Sequence, residues 1–238
     1  MDLFLFFIII FVAATLQTSS GYGFSILATP FLLILFEPFE AIQINLVLSL
    51  FISLILIYKI KHDINFSILR KLIVGSFPGL PLGILFFYFT HITYLKLTIG
   101  IIILILTIFL ILNFRITQST RRDILVGSLS GAMTTSIGMP GPPLLLYFSG
   151  TDTKKESLRA TTLAFYLFIY CVSLIIQMSV VGTSKIVWFS SGIALPIVLI
   201  SLYLGQILFN HLSQRSFQVI VYLILFFTAI YLLIESFI

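Results

Sequence analysis

Apolar residues in this chain run in long blocks, not in alternating or striped patterns. The blocks cover residues 3–20, 24–36, 41–58, 71–89, 94–114, 124–137, 142–148, 158–181, 186–209 and 217–234, with most charged residues in the intervals between them. A nearly uncharged block of about 20 residues, rising about 1.5 Å per residue, predicts a helix that crosses the roughly 30 Å hydrocarbon core of a bilayer. Two blocks are too short for that: 24–36 reaches only about 20 Å, and 142–148 less. Each follows an interruption, Gly21-Tyr-Gly-Phe-Ser-Ile-Leu-Ala-Thr-Pro30 in the first half and Gly138-Met-Pro-Gly-Pro-Pro-Leu-Leu-Leu-Tyr147 in the second. A broken helix leaves amides and carbonyls without intrahelical partners, and a membrane protein tolerates these only where protein or a polar cavity surrounds them. Interruptions at corresponding points of two halves point to the substrate site of a transporter.

The halves align as a duplication. An offset of 117 places Gly138 on Gly21, Tyr147 on Pro30, Lys154 on Glu37 and Thr162 on Asn45, and an offset of 122 places Gly205 on Gly83 within similar Leu/Ile/Phe runs. The expected fold class is therefore all-α: a polytopic helical membrane protein of one domain, residues 1–238, with two internal repeats, about 1–117 and 118–238. Each repeat is a broken or re-entrant helix followed by three transmembrane helices. The thirteen Lys and Arg residues bear on topology. If each broken segment crosses the membrane, eight bases lie inside and five outside; if each dips in and returns, eleven lie inside and only Lys96 and Lys185 outside. The positive-inside rule favours the second arrangement, which inverts one repeat relative to the other and leaves Asp2, Glu37 and Glu40 exterior. Asp2 stands where a signal peptide would carry basic residues, so the first block is expected to be a retained helix.

Composition agrees with the class, at 60% hydrophobic and 9% charged. The net charge of +5 sits in short loops, where it serves orientation and not nucleic-acid binding. The many Phe and Tyr residues are scattered and read as packing. Cys171, alone in an apolar run, excludes an intrachain disulfide and is expected to be a buried small hydrophobe. His62, His91 and His211 lie near segment ends and form no cluster, so neither a metal nor a cofactor is expected. Asp2, Glu37, Glu40, Asp63, Asp123, Asp152, Glu156 and Glu235 also fall at segment ends or loops, which leaves no carboxylate relay in mid-membrane. A coupling proton would then travel with a protonatable substrate, or sodium would be held by carbonyls of the broken helices. No nucleophile, acid–base pair or metal cluster marks an enzyme.

A helix that starts inside the membrane offers free amides and the positive end of its dipole to an anion. Such a helix is expected to start near Phe24, with Gly21 and Gly23 shaping the turn. A second is expected after Gly138 and Gly141, with Pro140, Pro142 and Pro143 fitting a turn or a first helical position. Neutral polar residues gather at both places: Gln17, Thr18, Ser19, Ser25 and Thr29, then Ser130, Thr134, Thr135 and Ser136. Gln43 and Asn45 follow the first break, on opposite sides of one helix; Asn45 is the better candidate because it aligns with Thr162, which follows the second break beside Thr161. The plainer readings are hydroxyls bonded to their own helices and breaks that serve close packing. The candidate substrate-binding residues are Gly21, Gly23, Ser25, Asn45, Thr135, Gly138, Gly141, Thr161 and Thr162. Arg159 is expected to snorkel to the interface, with a place at the site as its alternative. Tyr22, Phe24 and Tyr147 are expected in the core, with gating as their alternative.

The residues Gly21 to Pro30, Ala41-Ile-Gln-Ile-Asn45, Gly131-Ala-Met-Thr-Thr-Ser-Ile-Gly138-Met-Pro-Gly-Pro-Pro143 and Arg159-Ala-Thr-Thr162 resemble the sulfite exporter TauE/SafE family of membrane permeases. That family has a glycine-rich turn and a proline-containing helix in each half. Its run of three glycines is reduced here to Gly-Tyr-Gly-Phe and to Gly-Met-Pro-Gly-Pro-Pro. The resemblance implies a secondary transporter of small anions, typically sulfur-containing ones such as sulfite, sulfonates or thiosulfate, in the plasma membrane. It points to the two breaks and to Asn45, Thr161 and Thr162. An anion channel and a transporter of small carboxylates are the alternatives. The expected partners are a small anion, the lipid bilayer and a coupling proton or sodium; the sequence fixes no oligomeric state.

Overall fold

The computed structural model describes residues 2–112, 119–149 and 153–211, together with 219, 222–223, 226–227, 229–231 and 233–234. Most of the expected helix at 217–234, and the loop bases Arg115 and Arg215, lie outside the described residues. The described helices are α1 (Leu3–Ser20), α2 (Phe24–Leu35), α3 (Pro38–Ile60), α4 (Phe66–Phe89), α5 (Ile92–Ile111), α6 (Thr120–Ile137), α7 (Gly141–Ser149), α8 (Lys155–Val180) and α9 (Lys185–His211), and no strand occurs among the described residues. Among the described residues, five helices, α1, α3 with its 3-10 extension, α4, α8 and α9, are long and apolar enough to cross a membrane. The chain is a multi-pass helical membrane protein.

Several helices start earlier than the apolar blocks because polar or charged residues interrupt their first turns. Asn65 caps α4 by accepting from the Ser67 and Ile68 amides at 3.1 and 3.2 Å, and Asp2 caps α1 by accepting from Phe4 and Leu5 at 3.1 and 3.2 Å. Pro38 opens α3, where a missing amide hydrogen costs no helical bond.

α1 and α2 form a hairpin. Phe36, just past α2, meets Phe6 near the start of α1 with ring centroids 5.5 Å apart, so the chain returns to the end from which it set out. α6 and α7 do the same: the Tyr147 hydroxyl, near the end of α7, donates to Asp123 in the first turn of α6. α3 and α8 pack side by side in opposite directions. The Gln43 amide near the start of α3 donates to the Gly182 carbonyl just past α8, at 2.7 Å, while the Asn65 amide beyond α3 donates to Thr161 near the start of α8, at 2.9 Å. α4 runs parallel to α6, with Gly75, Gly79 and Gly83 against Ile124, Ser128 and Ala132. α1 runs parallel to α9, where Gly205 meets Thr18 and the Ser201 hydroxyl donates to the Phe11 carbonyl at 3.2 Å.

Tyr22, Phe24 and Tyr147 are buried, as expected of core residues. Two expectations need correction. Cys171 is exposed, because α8 turns its apolar side outward and its polar side inward. Asp123 does lie in the first turn of a helix, but it is completely buried, and Lys71 pairs with it at 3.1 Å. Lys71 is thus more than an orientation signal.

Candidate functional site

Each break is set by glycine. α1 ends at Gly21, whose φ of +87° lies in the left-handed region, and α6 ends at Gly138, whose φ is +73°. A Cβ is strained there, so glycine ends each helix sharply, its amide closing the last turn onto Gln17 at 2.8 Å or Thr134 at 2.8 Å. The helices that follow are short: twelve residues of α2 rise about 18 Å, and nine of α7 about 14 Å. They differ chemically. α2 opens with Phe24-Ser-Ile, all with free amides, while α7 opens with Gly141-Pro-Pro, which has only one amide hydrogen in its first three residues. α2 therefore presents more amide hydrogens at its start than α7 does.

The breaks meet. A Cβ on Gly141, at the start of α7, would lie 3.0 Å from Ile26 Cδ1 of α2 and 3.0 Å from the Tyr166 hydroxyl of α8. Ser25 accepts from the Tyr170 hydroxyl at 3.3 Å. Asn45 reaches the second break, its Nδ2 donating to the Gly138 carbonyl at 2.7 Å, and its Oδ1 is buried without a partner. Gln43 instead faces the connection between α8 and α9. Gly21, Gly23, Ser25, Asn45, Gly138 and Gly141 thus gather around the two hairpin turns.

The threonines divide. The Thr135 hydroxyl donates to the Leu80 carbonyl at 2.8 Å and holds α6 to α4. Thr161 accepts from Asn65 and holds α8 to the start of α4. Thr162 is fully buried with an unpartnered hydroxyl. Other hydroxyls take the plain course: Thr18, Ser19 and Ser136 donate to carbonyls of their own helices at 2.7, 3.0 and 2.7 Å.

One feature of α8 escaped the reading by hydropathy blocks. Arg159, Thr162, Tyr166, Tyr170, Ser173 and Gln177 follow at intervals of three and four residues, which puts them on one helix face, and all are buried. This face meets both breaks. Arg159 lies beside Gly21, Tyr166 beside Gly141 and Tyr170 on Ser25, while the Gln177 amide donates to the Thr135 carbonyl at 2.5 Å. The polar periodicity was present in the sequence and was the signal that would have found it. Arg159 corrects the expectation of snorkelling: it is only 2% exposed, because α1 and α9 close over the start of α8.

Apolar crossing helices and two glycine-ended hairpins that meet around neutral polar groups define a membrane protein with an internal polar site. The family model described as Sulfite exporter TauE/SafE matches residues 6–232, and the chain belongs to that family. The family consists of transporters rather than enzymes, and the chain is a membrane transporter. No curated protein and no solved structure matches it.

Proposed function

We propose that the chain is a plasma-membrane permease, a secondary transporter that carries a small sulfur-containing anion such as sulfite, a sulfonate or thiosulfate. A site between the two breaks would be exposed alternately to either side. The observation that carries this reading is the meeting of α2 and α7 at their starts, through Ile26 and Gly141, with Asn45 bound to the second break. Free amides, positive helix ends and hydroxyls favour an anion there. The site residues proposed from sequence keep that role, with Thr135 and Thr161 acting through the helix contacts they hold.

The chain is one domain of two inverted repeats, about 1–117 and 118–238, and α1–α2 and α6–α7 are re-entrant hairpins. The packing supports this: exchanging α1 to α4 for α6 to α9 turns the α4–α6 contact into the α9–α1 contact, turns α3–α9 into α8–α4, and leaves α3–α8 unchanged. Coupling is to a proton or to sodium; Pro30 removes the amide that would bind the Ile26 carbonyl, which frees an oxygen ligand near the breaks.

The test is uptake of radiolabelled sulfite, thiosulfate and a simple sulfonate into proteoliposomes under imposed proton or sodium gradients. Saturable counterflow is expected, and Gly138→Leu and Thr162→Val should each abolish or strongly reduce it. Flux without counterflow would make the protein a channel, and flux of small carboxylates alone would replace the substrate class.

A further inference from the structure

We infer that Arg159 supplies the fixed positive charge that holds the transported anion, at the first break and not the second; this rests on the transporter reading above. A guanidinium keeps its charge in proteins, and a buried charge is costly unless it is paired. Arg159 is 2% exposed, yet its contacts among the described residues are neutral: Nη2 donates to Gln206 Oε1 at 2.9 Å, and the guanidinium carbon lies 4.2 Å from the centre of the Phe209 ring. Among the described residues no carboxylate pairs with it, and its Nε is buried without a partner. This is the state of a cation whose counter-charge arrives with a ligand.

Its position fits an anion. A Cβ on Gly21 would lie 3.0 Å from Arg159 Cγ, so the side-chain stem rests against the turn that leads into α2 and its free amides. The positive end of α2 and the guanidinium have like sign, and an anion lying between them would offset both. On the same face of α8, Thr162 and Tyr166 carry buried hydroxyls without partners. A sulfur oxyanion has several acceptor oxygens clustered on one atom, and the planar fork of arginine, hydroxyls and amides supply matching donors. The second break offers less: the 117 offset puts Ile42 where the first break has Arg159, Ile42 indeed lies against Gly138, and two prolines remove amides from α7. The chain therefore binds one anion, and it binds it at the first break.

The experiment compares wild type, Arg159→Gln, Arg159→Lys and Lys61→Gln, an exposed control in the 3-10 extension of α3, in reconstituted full-length protein. The readouts are the concentration dependence of uptake of sulfite, thiosulfate and a simple sulfonate, and the rise in melting temperature that each anion gives the detergent-solubilised protein. The expected result is that Arg159→Gln raises the half-saturating concentration about tenfold or more, the loss of one charge-assisted contact, and removes the anion-dependent rise in melting temperature. Arg159→Lys, which keeps the charge and loses the fork, should raise half-saturation several-fold, and Lys61→Gln should leave it unchanged. A lowered melting temperature with wild-type half-saturation in Arg159→Gln would make the residue a structural cap and overturn the inference. If Arg159→Gln does not fold, Arg159→Lys decides on the same terms, an unchanged half-saturation overturning it. Absence of saturable flux and of anion stabilisation in wild type would instead overturn the transporter reading itself.

Discussion

Gly138 and Gly141 stand three residues apart and fail differently when a methyl group is added. Gly138 has φ +73°, and its Cβ would lie 2.5 Å from Asn45 Nδ2, a donor held by the Gly138 carbonyl itself. Gly138→Ala therefore combines backbone strain of about 1–2 kcal/mol with displacement of Asn45, and is expected to lower the melting temperature and the flux together. At Gly141 the nearest atoms, Ile26 Cδ1 and the Tyr166 hydroxyl at 3.0 Å, are the ends of side chains, which can give way. Gly141→Ala should melt within a few degrees of wild type, a cost of about 1 kcal/mol or less, but transport more slowly, because the methyl group enters the contact between the two short helices. Thermal melts followed by size-exclusion chromatography, set beside proteoliposome flux, separate the two outcomes. The turn glycines were legible in the sequence because a left-handed residue is a local demand; helix geometry allowed only one of Gln43 and Asn45 to face the breaks, and the alignment of Asn45 with Thr162 chose between them. The burial of Arg159 was not legible, since it depends on α1 and α9 closing over a residue more than a hundred positions away from the one and near fifty from the other.

Helix pairs are fixed by how closely two backbones approach, and α4 and α6 approach most closely through glycine. Gly75, Gly79 and Gly83 fall at four-residue intervals on one face of α4, and a Cβ on Gly79 would lie 1.9 Å from the Ser128 carbonyl oxygen. That atom is backbone and cannot move without moving α6. Lipid gives helices no hydrophobic reason to associate, so close packing carries much of the attraction between them. Gly79→Ala is expected to cost about 1–3 kcal/mol or more, to part α4 from α6 and to broaden or abolish the monodisperse peak in size-exclusion chromatography. Gly192 of α9 is the control: nothing lies within 4 Å of its Cβ position, and Gly192→Ala should leave the peak and the melting temperature as they were or slightly higher. The existence of the helices was legible because apolar blocks of spanning length leave little choice. Their starts were misjudged by up to five residues at α4, where Ser67, Arg70 and Lys71 interrupt the apolar run and the start is set by the Asn65 cap. The glycine spacing of α4 was plain in the sequence, but spacing does not name the helix it meets.

At the scale of the whole molecule, charge and packing bear on the same question from different sides. The bases counted along the chain favour hairpins that return to the side they entered. The contacts between Phe6 and Phe36, and between Tyr147 and Asp123, bring the ends of each hairpin together, as that arrangement requires. The Thr161–Asn65 bond then puts Lys154 at the end of the bundle that carries Lys61, and the bond from Ser184 to Glu40, at 2.7 Å, puts Lys185 at the other end with Glu37. If the hairpins crossed the membrane, Lys61 would instead share a side with Lys185 and oppose Lys154. These three exposed lysines therefore decide the topology. In a Cys171→Ser background, Lys61→Cys, Lys154→Cys and Lys185→Cys are each probed in sealed, uniformly oriented vesicles with a thiol reagent that cannot cross the bilayer. The expected result is that positions 61 and 154 label from one side and position 185 from the other. Labelling of 61 with 185, and of 154 alone from the opposite side, would mean that α2 and α7 complete a crossing. The inverted relation between the halves would then fall, and with it the physical basis for two helix starts facing each other across one site.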